Sequence, residues 1–416
     1  MLRSPAIGER SHCFALPQPI SVFLPTRDIT HVPVPPVSLH FAYRSSAQLT
    51  LSDVKVKFAR LLRRLRLLYT LPYYYGVAAF RYGFHPLSAV RSLSTALYER
   101  YWPEEAYGLG LLRPGANAHR SPQFLSKAHM VALQRRLNLE AWEFVLSDKG
   151  VFARFAMAAS LPTPSLVALY YRNTAGCTGA GELLASGDEW RRFLETGTPQ
   201  EFVVKPARSS YGSSVHLFRR KGRVFTDFHG RSFSAADLHT MLGSESGHDA
   251  MIIQERVHNH PDLVRLSGAE GLQTVRIVTF VGTDGTIHVV NAFFKPIVGR
   301  NHVDNFKHGA TGNLLATVSL DDGSLRTGIT HAPGGGILEV PRHPETGVIF
   351  GGFRLPYWVE ACALARRAAA VFLPVRMVGW DVALSPAGPL LIEGNFWPDP
   401  PTMTCSLDRI LETLKA

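Results

Sequence analysis

The chain has 416 residues, 46% hydrophobic and 19% charged, so it is long enough for two or three globular domains and is not a disordered chain. Its net charge of +11 either favours an anionic partner (nucleotide, nucleic acid, acidic substrate or membrane surface) or reflects an ordinary solvated basic surface. The four cysteines are far apart, and there is neither a membrane-spanning apolar run nor a continuous signal-peptide core, which predicts a cytoplasmic protein.

The first third of the chain predicts a leader followed by helices. Residues 1–47 are rich in proline and predict an extended or poorly ordered leader. Residues 54–68 place leucines and Phe58 at helical spacing, with lysines and arginines at most other positions. Such a helix either lies on an anionic membrane surface or packs its apolar stripe on its own protein. Residues 48–147 together predict a mainly helical N-terminal domain without a catalytic constellation.

The pattern changes at residue 148. Asp148 or Ser147 can cap a helix, which a Leu-Pro-Thr-Pro turn connects to a strand. A further helix is predicted within residues 355–372. Further strands are predicted at residues 202–205, 214–218, 223–227, 251–255, 274–281, 286–294, 313–319, 377–384 and 389–393. Loosely alternating helices and hairpins indicate an α+β fold, with antiparallel sheets that carry helices on one side.

The segment FVVKPARSSYGSSVHLF, residues 202–218, is a strand that ends in a lysine and a Ser/Gly loop. Lys205 suits a phosphate as a point charge. The loop from Ser209 to Ser214 offers backbone N–H groups and hydroxyls to phosphate oxygens, and Gly212 permits a close approach. A serine-rich hairpin with a solvated lysine would show the same pattern, so the segment alone leaves both interpretations open.

The C-terminal segment MVGWDVALSPAGPLLIEGN predicts a hairpin with three oxygen donors. Asp381 follows an apolar strand, and Glu393 and Asn395 end the next one, so antiparallel pairing brings them together. Carboxylate and carboxamide oxygens on rigid strands suit a hard cation, above all Mg²⁺. The alternative is two unrelated polar strand ends, which the cost of burying an unpaired acid disfavours.

Two other segments carry candidate binding residues. Gln254, Glu255 and Val257 follow an apolar strand and can present backbone groups to an adenine edge, with Asp262 placed to reach a ribose hydroxyl. The nearby sequence His-Asn-His has no third ligand at a fitting spacing, which excludes a zinc site.

Arg276 and Lys295 lie in predicted strands, where they either line a polyphosphate site or point to solvent. Asp304 and His308 lie in a predicted loop. They either face a substrate, with a general base for an amine among their roles, or belong to a plain surface loop.

Three segments follow one another along the chain: VVKPARSSYGSSV, IIQERV and GWDVAL…LLIEGN. In this order they resemble the ATP-grasp superfamily over about residues 140–405. The first and last resemble D-alanine–D-alanine ligases. The strand TVRIVT, the segment HVDNFKHGATGNLLATV and the helical leader are more similar to the sugar-transfer-associated ATP-grasp group.

The resemblance implies an ATP-grasp fold, with one α+β lobe at residues 148–255 and a second at residues 256–416 enclosing ATP. It further implies a role for each matching residue: Lys149 and Lys205 on the phosphates; Gly212, Ser213 and Ser214 in the closing loop; Gln254, Glu255 and Val257 at the adenine; Asp262 at the ribose; Asp381, Glu393 and Asn395 on two Mg²⁺ ions, with Mn²⁺ as an alternative; Arg276 and Lys295 at the transferred phosphoryl group.

The resemblance also implies an ATP-dependent carboxylate–amine ligase that acts through an acyl phosphate on small-molecule substrates. A phosphotransferase acting on a hydroxyl and a non-catalytic ATP-binding partner of a glycan assembly are the alternatives. A nucleic-acid role has only the charge in its favour. One position departs from the pattern: D-alanine ligases have an arginine where this chain has Gly379, so either Arg276 takes that role or the chemistry differs.

Overall fold

The computed structural model describes residues 65, 68–81, 101–113, 126–209, 214–245, 247–332 and 335–399. The predicted leader, most of the predicted basic helix at residues 54–68, and Gly212 and Ser213 lie outside the described residues. Within the described part of the chain, no helix has both the length and the hydropathy needed to cross a membrane.

Residues 68–81 are helical, and eight α-helices follow within the described ranges: α1 Pro103–Gly108, α2 Lys127–Leu137, α3 Glu143–Ser147, α4 Lys149–Ala158, α5 Gly187–Gly197, α6 Ala235–Ser244, α7 Pro261–Ser267 and α8 Trp358–Val371. Single 3₁₀ turns lie at Glu140–Trp142 and Lys307–Gly309.

Two antiparallel sheets form the framework. The first contains β1 (Leu166–Tyr171), β2 (Gly176–Thr178), β3 (Leu183–Leu184), β4 (Glu201–Pro206), β5 (His216–Lys221), β6 (Val224–Asp227), β7 (Ser232–Phe233) and β8 (Ala250–Glu255), in the order β3-β2-β1-β8-β4-β5-β6-β7. The second contains β9 (Thr274–Val281), β10 (Ile287–Phe294), β11 (Leu315–Val318), β12 (Leu325–His331), β13 (Ile337–Val340), β14 (Met377–Ser385) and β15 (Gly388–Asn395), in the order β13-β12-β11-β10-β9-β14-β15.

Each sheet buries one face under helices. Helix α8 is alanine-rich and buries Ala361, Ala365 and Ala368 against the second sheet, because small side chains allow the helix to approach the strands closely. Helices α5 and α6 cover the first sheet through Trp190 and Leu238. The second sheet also has α2 on its other face, but only at one end of the strands. The rest of that face remains open toward the first sheet.

The predicted α+β fold with antiparallel sheets is confirmed. Asp148 caps α4 by accepting hydrogen bonds from the N–H groups of Gly150 and Val151, as its position predicts. The sequence analysis missed α5 and α6, although both begin with a capping box, Ser186 with Glu189 in the case of α5. It also missed β2, β3, β7 and β13, which have only two to four residues each, and the longer strand β12.

Candidate functional site

A cavity of about 760 Å³ lies between the open faces of the two sheets. Its wall includes most of the residues that the sequence singled out in or next to strands: Lys205 of β4, Gln254 of β8, Arg276 of β9, Lys295 directly after β10, Asp381 of β14, and Glu393 and Asn395 of β15. Lys205 of the first sheet therefore shares one cavity with both the cations and the carboxylates of the second sheet.

The β14–β15 hairpin brings two carboxylates together. Asp381 and Glu393 are direct partners in the register, so the predicted pairing is confirmed. Paired residues of an antiparallel ladder have their side chains on the same face, here the face of the cavity. Asn395 pairs with Gly379 and donates its amide N–H to the Gly379 carbonyl oxygen at 3.2 Å. This bond leaves the amide oxygen of Asn395 for a cation.

Asp381 is already neutralised by two cations. Both of its oxygens accept hydrogen bonds from Arg276, through Nε and through Nη2, the latter at 2.8 Å. Lys295 Nζ lies 3.1 Å from Asp381 Oδ2 and 3.3 Å from Asp304 Oδ2. The sequence assigned Asp381 to a metal and the two cations to a phosphoryl group; in the structure these three side chains bind one another.

The charges in this network shift each other's proton affinity. Burial disfavours the carboxylate of Asp381, but Arg276 and then Lys295 outweigh it and hold the pKa of Asp381 well below its usual range. Burial likewise opposes the charge on Arg276, and the Asp381 carboxylate raises the pKa of that guanidinium. Asp304 differs, because burial and the charge of Asp381 raise its pKa despite Lys295.

Gly379 makes room for Arg276. A Cβ atom at Gly379 would lie 3.1 Å from Arg276 Cδ and 2.9 Å from Pro398 Cβ. Arg276 therefore occupies the space that a side chain at position 379 would need, on the strand next to it. This geometry favours the first of the two alternatives that the missing arginine left open.

Lys149 reaches the cavity from the first turn of α4, a position that the Asp148 cap sets. Its Nζ donates to the Ser209 carbonyl oxygen at 3.1 Å and lies 3.6 Å from Glu393 Oε2. The lysine thus bridges the start of the Ser/Gly loop in the first lobe and the carboxylate of the second sheet.

Lys205 is the cation with the weakest compensation. It is only 8% exposed, and no described residue forms a hydrogen bond or ion pair with its ammonium group. Burial, and then the nearby charge of Lys149, lower the pKa of Lys205 to about 8. A buried ammonium beside a cavity lacks an anion, and a phosphate would supply one.

The end of β8 and the residues after it line the cavity at the position where the sequence predicts an adenine contact. Gln254 is buried and donates from Nε2 to the Pro164 carbonyl oxygen at 3.4 Å, and Glu255 accepts from Ser165 Oγ at 2.8 Å. Val257 lines the cavity, and its backbone N–H has no acceptor among the described residues. A free N–H next to the apolar side chains of Val203 and Leu272 suits the edge of a purine ring.

Asp262 is not placed for the predicted ribose contact. It lies in the first turn of α7, where it pairs with Arg265 at 3.1 Å, and it is not among the described residues that line the cavity. The helix formed by Pro261–Ser267, which the sequence analysis missed, turns this carboxylate away. His258 pairs with Glu201 at 2.7 Å. The described residues contain no group of three or more His, Cys, Asp or Glu side chains arranged for a metal.

Two other predicted site residues, Ser214 and His308, lie next to residues that line the cavity. Gly212 and Ser213 fall outside the described residues. Ser214 has a φ of 56° and is not among the described lining residues, whereas Ser209 and Val215 on either side of the loop are. The backbone of His308 belongs to the 3₁₀ turn Lys307–Gly309, next to Lys307, which lines the cavity.

Sequence reasoning missed the apolar wall and the polar rim of the cavity. Phe293 lies two residues before Lys295 on β10 and faces the same side, so strand alternation would have found it. Lys127 and Asp399 lie 2.7 Å apart at the rim but far apart in the chain, and no local pattern connects them.

The donor set fits a magnesium ion that arrives with phosphates. Glu393 is 28% exposed toward the cavity, and Asn395 has its amide oxygen free, so both can offer oxygen ligands. Asp381 has both oxygens bound to Arg276, so an ion at Asp381 must displace a cationic partner. One or two carboxylates completed by phosphate and water are the usual protein environment of Mg²⁺.

A family model described as sugar-transfer associated ATP-grasp matches residues 129–405. No curated protein sequence shows significant similarity to the chain.

Among solved structures, D-alanyl-alanine synthetase A from Vibrio cholerae shares 10% identity over 64% of this chain and 60% of its own, with a TM-score of 0.34. D-alanine-D-alanine ligase from Coxiella burnetii shares 11% identity over 64% of this chain and 55% of its own, with a TM-score of 0.36. Biotin carboxylase from Campylobacter jejuni shares 10% identity over 61% of this chain and 40% of its own, with a TM-score of 0.34. The chain thus spans 40–60% of the length of these three structures.

Proposed function

Because the chain belongs to the sugar-transfer-associated ATP-grasp family, we propose that it is an ATP-dependent ligase that joins a small carboxylate to an amine. The observation that carries the proposal is the shared cavity: the buried ammonium of Lys205, which contacts no anion among the described residues, the Lys149–Glu393 pair, Val257 and the charged network of the second sheet all line it. The reaction is proposed to take place in the cytoplasm, where ATP is available.

The proposed chemistry has two steps. A substrate carboxylate oxygen attacks the γ-phosphorus of ATP, the bond from that phosphorus to the β-phosphate oxygen breaks, and ADP leaves with an acyl phosphate remaining. The amine nitrogen then attacks the acyl carbon, the bond from that carbon to the phosphate oxygen breaks, and phosphate leaves as the amide forms. The substrate supplies the nucleophile in both steps, so no serine or cysteine nucleophile is required.

Cationic side chains offset the repulsion between the reacting anions. A carboxylate and a phosphoryl group repel each other by several kcal/mol at short range in a partly dry site. Lys149 and Lys205 hold the phosphates from the first lobe, and Glu393 with Asn395 would hold Mg²⁺. Bound with ATP, Mg²⁺ would supply positive charge at the phosphate oxygens. Arg276, which fills the space over Gly379, is proposed to stabilise the oxyanion that forms when the amine attacks.

The experiment that tests this function measures ADP release with a panel of amino acids and sugar acids, each with hydroxylamine as the amine. A ligase of this kind gives a hydroxamate in proportion to ADP for at least one carboxylate. A phosphorylated product without a hydroxamate would instead identify a phosphotransferase.

Glu393→Gln is expected to reduce ATP turnover on the order of 10²–10³-fold, because it removes an anionic ligand from the proposed Mg²⁺ site. The fold should be retained, since Glu393 is partly exposed and its ion pair with Lys149 spans 3.6 Å. Steady-state ADP release over a range of Mg²⁺ concentrations measures the effect. Glu339→Gln, on exposed β13, is the matched control, and turnover equal to it would contradict the metal assignment.

Asp304 is proposed to accept the proton of the attacking amine. Its Oδ2 is held by the N–H of Thr274 at 2.9 Å, by Thr274 Oγ1 at 2.6 Å and by Lys295. Its Oδ1 has no partner among the described residues, and the side chain lines the cavity. The carboxyl group of Asp304 thus has one anchored and one free oxygen, and burial raises its pKa. Both properties suit a general base.

Asp304→Asn is therefore expected to slow amide formation with an ordinary alkylamine by about 10²–10³-fold. Hydroxamate formation should change little, because hydroxylamine is already unprotonated at neutral pH. The ratio of the two rates measures the loss of the base. Asp321→Asn, at an exposed turn, is the control. Equal losses with both amines would assign Asp304 to substrate binding or charge balance instead.

A further inference from the structure

The helical segment at residues 68–81 has one face inside the protein. Its half-buried Tyr74 and Tyr75 and its buried Ala78 pack against Tyr101, Leu111 and other side chains in and after α1. This contact fixes the rotation of the segment and thereby decides which side chains face outward.

The opposite face exposes large apolar and aromatic side chains. The exposed fraction is 73% for Leu68, 73% for Tyr69, 55% for Tyr73 and 95% for Phe80. At about 100° of rotation per residue these four lie within an arc of about 140°, and the buried residues lie on the other side. Tyr69 and Tyr73 stack with their ring centroids 6.3 Å apart. Single exposed apolar residues are ordinary, but a continuous stripe of them indicates an interaction surface.

The charge of the surrounding sequence identifies the chemistry of the partner. Between residues 54 and 81 there are seven lysines or arginines and no acidic residue, whereas the whole chain has a net charge of +11. A second copy of the chain would bring the same concentrated positive charge to this face and be repelled. An apolar and aromatic stripe beside cationic residues is complementary to an anionic phospholipid surface, where aromatic rings lie at the level of the headgroups.

We propose that this face, comprising Leu68, Tyr69, Tyr73 and Phe80, binds the surface of an anionic phospholipid bilayer. The aromatic stripe enters the headgroup region, and the positive charge of the sequence around it attracts the anionic headgroups. The proposal is independent of the chemistry in the cavity. It favours membrane contact over the alternative in which the basic segment packs on its own protein.

The test is co-sedimentation of the full-length protein with vesicles of phosphatidylcholine alone or with about 30% phosphatidylglycerol. The wild type should bind the anionic vesicles, bind the neutral ones at least ten-fold more weakly, and dissociate at about 0.5 M salt. Tyr69→Ser with Phe80→Ser should weaken binding at least ten-fold. Arg63→Gln, Arg64→Gln and Arg66→Gln together should weaken it on the order of 100-fold.

Matched controls distinguish membrane binding by this face from non-specific binding through exposed apolar side chains and from misfolding. Leu183→Ser with Val359→Ser removes two apolar side chains that are each 73% exposed, on β3 and α8, and should leave binding unchanged. Arg192→Gln, Lys221→Gln and Arg223→Gln remove three exposed charges from the first lobe and should have little effect. The single variant Phe80→Ser, at a 95% exposed position, should keep the melting temperature of the wild type.

Absence of vesicle binding, or binding that Tyr69→Ser with Phe80→Ser leaves unchanged, would overturn the proposal. A dimer in sedimentation velocity that this double variant dissociates, without vesicle binding, would assign the face to a second copy of the chain and would equally overturn it.

Discussion

Replacing Lys205 with methionine is expected to abolish tight nucleotide binding and at the same time to stabilise the folded protein at neutral pH. Lys205 is buried and contacts no anion among the described residues, and burial, despite the nearby charges of Glu393 and Asp381, lowers its pKa from 10.5 to about 8. A phosphate contact to this ammonium contributes roughly 1.5–3 kcal/mol, so the affinity for ADP should fall on the order of 10²-fold.

The stabilising effect follows from proton linkage. Between pH 8 and 10.5 the unfolded chain keeps a proton that the folded protein has lost, so the stability of the wild type rises with pH across this interval. Below pH 8 the full cost of charging the buried amine is present, about 3 kcal/mol for a shift of this size. Methionine carries no such cost, so the variant should be more stable at neutral pH and show no such rise.

Two measurements check this prediction: calorimetric titration with ADP, and urea unfolding at neutral and alkaline pH. Lys221→Met, on the exposed end of β5, is the control and should change neither result. Wild-type affinity in the Lys205 variant would remove the phosphate assignment. Destabilisation at neutral pH would show instead that Lys205 has a compensating partner.

Asp381→Asn is expected to destabilise the fold by about 3–5 kcal/mol, in contrast to Glu393→Gln on the paired strand. The substitution removes the shared counter-charge of Arg276 and Lys295, and breaking a buried ion pair leaves uncompensated charge in the interior. Lys295 retains Asp304, but Arg276 has no second carboxylate partner among the described residues. Loss of activity in this variant therefore reflects loss of structure as well as loss of a site residue.

A double variant separates the two effects. In Arg276→Met with Asp381→Leu both charges are removed, so most of the stability should return although activity remains lost. Urea unfolding of both single variants and the double variant measures the coupling. If the change in the free energy of unfolding of the double variant equals the sum of the changes in the two single variants, the two side chains do not interact.

The pH dependence of the wild type provides an independent check. The folded pKa of Asp381 is depressed, so its stabilising contribution is complete above the ordinary aspartate pKa and is lost as the pH falls toward the depressed value. Asp304 acts in the opposite sense, because its raised pKa means that protonation relieves the cost of its burial. The acid unfolding of Asp381→Asn should therefore lack the steep loss of stability that the wild type shows below the ordinary aspartate pKa.

Features that depend on residues close together in the chain could be predicted from the amino-acid sequence. Strand alternation located β9 at its observed bounds, and the short Ser-Pro-Ala-Gly turn brought Asp381 opposite Glu393. A hairpin has its register set by the turn and by which face is buried, so a local pattern is sufficient. The segments that resemble ATP-grasp proteins, taken in their order along the chain, likewise predicted the family that the family model matches.

The pairing of the charges, in contrast, depends on contacts between residues far apart in the chain. Arg276 and Asp381 are 105 positions apart and Lys295 and Asp381 are 86 apart, so no spacing rule connects them. The sequence assigned Asp262 to the site, but a single turn of helix directed it to Arg265 instead. Which carboxylate meets which cation depends on the packing of two sheets across a cavity, because the strong dependence of Coulomb energy on distance and burial is set by that packing and not by residue type.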